Sequence, residues 1–572
     1  MLSIRNFVNV SDLASPVAPR QSRLASLASP EAPRTVGSKM IHNKMSTNLV
    51  SASLLSLCIT ASLSGASSAQ TFRWAPPASV ATMDPHASGD TTTRNILIND
   101  YEGLVRLSQK AEIEPELAVS WEAVEPTVWR FKLRPNVTFH DGSPFTADDV
   151  VFSFKRATAS SSDIRSKLRA IKEMRKVDDL TVDAITRAPN PILAQGVLLF
   201  MPILSQEWAK KHDAMDPADN RRTGKENYAT RNANGTGPFK IVSFGVDGRI
   251  EMVPNENWWD KKEYNFNKVV ISPIASDATR VAALLSGEVD LITPIPQQDV
   301  PRVKDSKDFQ ILTIPDARVV YLGMDQWRDE LKESNVKGKN PFKDIRVRQA
   351  FVKAINMDLV RSKILMGAGL PVYAMVPPQA DGWIDAFRDR PAADPAGAKK
   401  LLSDAGYPNG FSVGMDCPND GLANMGEPVC VAITGMLARV GIKVDVQLQK
   451  QAMYAGKIGR RDTSFYIHSW GATTLDALAT MGSTMVTYGD GVGTWNVGGY
   501  SNPEFDRLVA AAESEMDRGK RRELMTKALK IHRDDVGTIP LYQPVLTYAA
   551  RSNVTIVPRL DDAIQLRWVK FK

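Results

Sequence analysis

Apolar and polar positions change period along the chain, and the changes mark its elements. Trp129, Phe131 and Leu133 alternate with Arg130, Lys132 and Arg134, the two-residue period of a strand with one buried face. Pro135 and Asn136 then turn the chain, Val137–His140 reads as a second short strand, and Asp141-Gly142 as another turn. Thr146 with Asp149 forms a capping-box pattern ahead of Val150, Val151 and Phe154, so a helix is predicted there. Gly235–Pro238 breaks the chain before an alternating stretch from Phe239, which Asp247-Gly248 joins to Arg249–Val253 as a hairpin. Helical periodicity dominates later. Asp344 is placed to cap a helix with Val347, Phe351 and Ala354 on one face and Arg346 and Arg348 largely outward, as solvated or paired charges. Asn502-Pro503 starts another helix, with Phe505, Leu508, Val509 and Ala512 inward, and Leu524, Ala528 and Ile531 form a third apolar face.

Such mixing of strands and helices over 572 residues, with 43% hydrophobic and 24% charged residues, fits α/β lobes with a large core and excludes whole-chain disorder. The net charge of +7 is concentrated at the start. Setting aside residues 1–69 leaves 65 cationic and 62 acidic side chains, a net of +3. That balance implies neither nucleic acid nor a polybasic membrane surface.

The longest uncharged apolar segment, Leu49–Leu63, follows Lys44 and leads to Ser67, Ser68 and Ala69, the layout of a secretory signal peptide (about residues 40–69) cleaved after Ala69. It is too short to span a bilayer. Cys58 follows Leu57 rather than the small residue that lipidation requires. Upstream, LASPVAPR (13–20) and LASPEAPR (27–34) repeat a Ser/Ala/Pro/Arg composition that also fits a transit peptide, but beside a secretory signal it fits better a start codon placed too early. The exported chain then carries one even pair, Cys417 and Cys430, which in an oxidising compartment predicts a disulfide rather than a zinc site, for which the spacing is wrong.

Catalytic motifs are missing. No phosphate loop, G-x-S-x-G elbow or H-E-x-x-H helix occurs. Gly489, Gly491 and Gly493 fail the dinucleotide fingerprint because Thr494 follows, and the six histidines are scattered. No metal, no cofactor and no enzymatic activity are expected.

VWRFKLRPNVTFHDGSPFTADDVVFSFKR (128–156) resembles the most diagnostic stretch of the family 5 extracellular solute-binding proteins, the peptide and nickel class of ABC importers. DYEGLVRL (100–107), GTGPFKIVSF (235–244), LLSGEVDLI (284–292), PFKDIRVRQAFVKAIN (341–356), GYSNPEFDRLV (499–509) and IPLYQP (539–544) follow in the same order and extend the resemblance over residues 70–572. It implies a two-lobed periplasmic-binding-protein-like α/β fold, type II with an extra domain, hinged around a ligand cleft. By the same resemblance, residues 70–96, 228–312 and 538–572 form the first lobe, 97–227 the extra domain and 313–537 the second lobe. The implied function is periplasmic capture of a peptide-like or other small polar solute by lobe closure, as a monomer, and its delivery to an ABC permease in the membrane.

The resemblance also implies which segments line the cleft: Met83, Asp84 and His86; the loop from Trp470; and Trp495 with Asn496. Asp84-Pro85 fits equally a turn cap, and Trp495 a core position. Peptide-binding members commonly place an Asp three residues after the loop tryptophan to pair with a ligand ammonium; here that residue is Thr473. Either Asp476 replaces it, or Asp476 caps the helix suggested by Ala477, Leu478 and Met481 and the ligand presents no cation there. The latter makes modified peptides, opine-like conjugates, oligosaccharides or metallophores comparable candidates. The alternative function is an exported hydrolase on the same scaffold, for which Ser469 beside His468 is the local hint, although neighbours on a strand face opposite ways.

Overall fold

The computed structural model describes residues 70–572 except 197, 220–222, 420–425, 473 and 490. The proposed signal peptide, Cys58 and Thr473 lie outside the described residues. Among those described, no helix is long and apolar enough to cross a membrane.

Twelve strands form one continuous mixed sheet. Its centre is the 13-residue strand Ile539–Arg551, whose sequence IPLYQPVLTYAAR is apolar on both faces and almost wholly buried. Toward its start this strand pairs with Arg318–Met324, which leads on to Phe465–Gly471, Phe411–Pro418 and Ile442–Gln449. Toward its end it pairs with Phe309–Pro315 and Leu291–Ile292, which leads on to Thr71–Ala75, Lys268–Ile271, Ile250–Pro254 and Phe239–Phe244. One strand therefore runs through both halves of the sheet.

Period-two alternation divides the second lobe into two cores. Val320 and Leu322 pack with Phe342, Phe351, Ile433, Phe465 and Ile467 on one face. Val319 and Tyr321 pack with Trp383, Met481, Phe505 and Met525 on the other. The first-lobe core surrounds Phe72, Trp74, Val269 and Leu291, and also takes in Phe152, Leu204 and Trp208. A separate antiparallel sheet, in the order Ala118–Glu125, Val128–Leu133, Thr181–Thr186 and Ile171–Asp178, builds the remaining core with the helix Ala147–Ala157.

Local signals act where expected. Thr146 and Asp149 make the reciprocal capping box, Asp344 caps Ile345–Ala354, and Asn502 caps Pro503–Ser514. The strands Phe239–Phe244 and Ile250–Pro254 form a hairpin whose Gly248 has φ of 81°, as Gly142 at the earlier Asp-Gly turn has φ of 90°. Two expectations need correction. Val137–His140 is not a strand, because only an isolated bridge joins Thr138 to Pro144. Arg348 does not face outward: it is buried and donates to the carbonyls of Phe342, Lys343, Asp535 and Val536.

A buried clasp fastens the loop after the first strand. Both Asp84 oxygens accept from the Arg156 guanidinium at 2.7 and 2.6 Å, and they also accept the N–H groups of His86 and Ala218. His86 Nε2 lies 2.9 Å from the Pro202 carbonyl and Nδ1 3.2 Å from the guanidinium. A neutral ring satisfies both contacts, with Nε2–H donating and Nδ1 accepting. Burial, with Arg156 adding to it, lowers the His86 pKa to about 4.

Cys417, at the end of a strand, and Cys430, on the helix Gly426–Ala438, form a disulfide with Sγ atoms 2.11 Å apart. Mass spectrometry without reduction should find these residues linked, and replacing both by Ser should lower stability by about 3 kcal/mol, the chain-entropy value for so short a loop. Two free thiols in exported material would contradict the pairing.

The clasp gives a second test. Burial alone would raise the Asp84 pKa, but the Arg156 charge and hydrogen bonds outweigh it, so the folded value lies below the usual 3.8. Its stabilisation is therefore present above the unfolded pKa and lost as pH falls through the lower folded one. Asp84→Asn should cost on the order of 3 kcal/mol near pH 7, by stranding a buried guanidinium. In urea melts against pH, the gap between wild type and variant should close in acid; a constant gap would refute the ion-pair account.

Candidate functional site

On the strand Phe465–Gly471, Trp470 pairs with Val319 and His468 with Tyr321, so both point to the face that carries the Tyr321 core. Ser469 pairs with Val320 on the opposite face. The pleat thus separates Ser469 from His468. Trp495 completes the wall: its ring stacks on His468 at 5.9 Å and 7° between planes, and meets Trp470 at 5.7 Å and 49°. Both indoles are half-buried and keep part of their area exposed.

The loop carrying Trp495 is held by its neighbour. The Asn496 amide donates to the Val486 and Tyr500 carbonyls at 2.8 Å and its oxygen accepts the Tyr500 N–H. With its side chain buried and its polar atoms engaged, Asn496 positions Trp495 rather than reaching outward.

Asp476 sits five residues beyond Gly471 and is fully buried. One oxygen accepts the Leu478 N–H and caps the helix Ala477–Thr484; the other lies 2.9 Å from the Arg521 guanidinium. Burial raises its carboxyl above the ordinary range, and Arg521 opposes the rise. Of the two alternatives, the structure has Asp476 in the capping arrangement, with Arg521 as its ion-pair partner. Met83 is a first-lobe core side chain, and Asp84 and His86 are engaged in the buried clasp.

Sequence reading gave His468 a place only beside Ser469, as a hydrolase hint; its Nδ1 is buried without a hydrogen-bond partner among the described residues, and burial lowers its pKa to about 4. Other groups were missed. Across from the clasp, Pro85 and Ser88 border a cavity of about 80 Å³ into which Arg94 and Lys167 also project. No spacing rule brings residues 94 and 167 together; only the fold does. The described residues contain no cluster of His, Cys, Asp and Glu able to hold a metal. The indole wall offers apolar faces with one neutral imidazole, and the recess, lined by other residues, offers two cations; both suit binding of a solute.

Comparison with known proteins agrees. The family model described as bacterial extracellular solute-binding proteins, family 5, matches residues 112–491. Heme-binding protein A of Haemophilus influenzae is 28% identical over 469 residues, covering 78% of this chain and 82% of that one. The dipeptide-binding protein of Escherichia coli is 27% identical over 474 residues, covering 77% and 83%. Among solved structures, a periplasmic binding protein DppA from Helicobacter pylori in complex with a peptide superposes with a TM-score of 0.72 at 24% identity, covering 88% of this chain and 98% of that one. The two-lobed α/β architecture is therefore shared with periplasmic binding proteins. With its fold, its indole wall and 380 contiguous residues matching one family model, the chain belongs to the family 5 extracellular solute-binding proteins, the ligand-capturing components of ABC importers, and is a binding protein rather than an enzyme.

Proposed function

We propose that this chain, exported to the periplasm by cleavage after Ala69, works as a monomer that captures a peptide-like or other small polar solute presenting no free ammonium group to the loop after Trp470. The lobes 70–96 with 228–312 and 538–572, and 313–537, close over the solute, and the segment 97–227 flanks them. A membrane permease then receives it. The observation that carries this reading is the half-buried Trp470–Trp495 pair with Asp476 withdrawn beneath it. Indole faces bind varied apolar and sugar-like surfaces, whereas a carboxylate already paired with Arg521 has little left for a ligand cation.

The relatives' names span heme and dipeptides. That spread supports a common capture role with divergent solutes. The hydrolase alternative lacks support, because Ser469 and His468 stand on opposite faces of their strand.

The test is to denature the exported chain, identify the released solute by mass spectrometry, and titrate it back by calorimetry. Trp470→Ala should weaken binding by about tenfold or more while the protein stays folded, as expected for a truncated aromatic anchor. Asp476→Asn should leave affinity within about twofold while lowering stability, since surface-like effects on binding stay near 0.5 kcal/mol. If Asp476→Asn instead abolished binding of α-amino ligands alone, free peptides would return as the solute class.

A further inference from the structure

The 80 Å³ cavity beside the first-lobe loop lies between the helix Thr91–Leu97, the turn Leu198–Phe200 and Lys167. It is well below the roughly 300 Å³ at which pockets for whole drug-sized molecules begin. Its room suits one head group. Most charged groups around it are already satisfied. Arg559 pairs with Asp561 through two contacts of 2.9 and 2.7 Å, and Arg106 pairs with Glu114 and Asp260. Glu102 accepts from the indoles of Trp258 and Trp259 and from the Thr236 hydroxyl. Glu116 accepts the Gly103 N–H, with Arg567 3.6 Å away.

Arg94 and Lys167 differ from these. Both approach the same Phe200 ring, the guanidinium at 5.6 Å and the ammonium at 4.9 Å from its centroid. Among the described residues neither has a carboxylate within ion-pair distance. The Arg94 guanidinium donates to Asn95 Oδ1 at 3.0 Å, and the Lys167 ammonium has no hydrogen-bond acceptor among the described residues. Burial, followed by the neighbouring Arg94 charge, holds Lys167 down to about 8, with Asp90 acting in the opposite sense. Two partly desolvated cations on one aromatic face are costly unless an anion joins them.

Arg94 is within electrostatic reach of Asp561 and Asp562, which favour its charge, and of Arg559 and Arg318, which oppose it; the strand partner of Arg318 is Gly471, next to Trp470. Pro85 and Ser88 at the edge of the cavity belong to the same loop as the Asp84 clasp, which fixes the recess rigidly against the helix Ala147–Ala157 through Arg156.

We infer that Arg94 and Lys167 form an oxyanion subsite that takes a carboxylate or phosphate at one end of the captured solute, with Phe200 as its apolar floor. This rests on the reading of the chain as a solute-capturing protein. A carboxylate seated there would accept from both cations while the rest of the solute extends toward Trp470 and Trp495. The solute class is therefore acidic at one end and without a free ammonium at the other.

The probes are glutarate and inorganic phosphate, with glutaramide as the neutral counterpart, titrated by calorimetry into the exported chain at fixed ionic strength. Glutarate or phosphate should bind and glutaramide should not, and whichever oxyanion binds tighter assigns the head group. Arg94→Gln and Lys167→Gln should each weaken binding by about tenfold or more, the scale of a lost charge-assisted hydrogen bond. Lys167→Arg should retain it. Because neither side chain is ion-paired, the variants should melt near the wild type, and Lys167→Arg controls for packing. Unchanged affinity in both Gln variants, or no oxyanion binding to the wild type, would overturn the subsite. A neutral solute released from the wild type and retained in both variants would overturn it too, while leaving solute capture intact; failure of capture would show instead as oxyanion binding without any released solute or response at Trp470.

Discussion

Every other feature depends on the strand Ile539–Arg551, because it is paired on both sides of the junction between lobes. Its residues from Val545 onward face Phe309–Pro315, and those up to Tyr542 face Arg318–Met324. The partner chain steps from one set to the other through Asp316 and Ala317. Pro544 stands at that step, where a missing N–H breaks no ladder bond, and its carbonyl accepts the Asp316 N–H. The Gln543 amide donates to the Asp316 carbonyl and to Gln379 Oε1. Burial raises the Asp316 carboxyl to about 6 despite Arg318 beside it. On its other edge the strand stays paired through this step, where Pro544, Gln543 and Tyr542 face Gly369, Leu370 and Pro371.

Buried ion pairs set the positions of the loops that the hinge brings together. Asp84 with Arg156, Asp476 with Arg521, and Arg559 with Asp561 are all withdrawn from solvent. Such pairs contribute little net stability relative to apolar packing, yet losing one partner leaves a charge stranded. They therefore select one loop arrangement over others. Asp84 and Asp476 serve in this way at the two positions where ligand-facing carboxylates were expected. The charge lies near the site, but it is directed inward and holds the wall and the recess in place.

What the sequence disclosed follows the range of the interaction. The capping box of Thr146 and Asp149, the caps Asp344 and Asn502, and the Asp247-Gly248 hairpin act over two to four residues, and all appear where the pattern put them. The family motifs carried the two-lobed α/β fold, which no local rule encodes. Missed were interactions between distant segments. Asp84 meets Arg156 across 72 positions, and Arg348 reaches Asp535 across 187. Helical periodicity placed Arg348 outward, but a guanidinium can thread to carbonyls of another helix and be satisfied while buried. The same limit concealed Lys167, whose neighbour Arg94 lies on a different element.

Polar groups around the recess differ in how far they are satisfied. Around the recess, Arg559, Arg106, Glu102 and Glu116 each have identified partners. Arg94 and Lys167 lack a carboxylate among the described residues, and His468 Nδ1 lacks any hydrogen-bond partner there. An unpaired buried polar group such as His468 Nδ1 costs free energy in the folded protein, and half-buried cations without a carboxylate are open to an anion from outside. His468 stands against the half-buried Trp495, and Arg94 and Lys167 line the recess at the edge of the loop fixed by Asp84. A solute that supplied an anion at one end and an apolar or sugar-like face at the other would restore hydrogen bonding and cover the indoles in one event. Its binding free energy would then come largely from groups that the unliganded protein leaves incomplete.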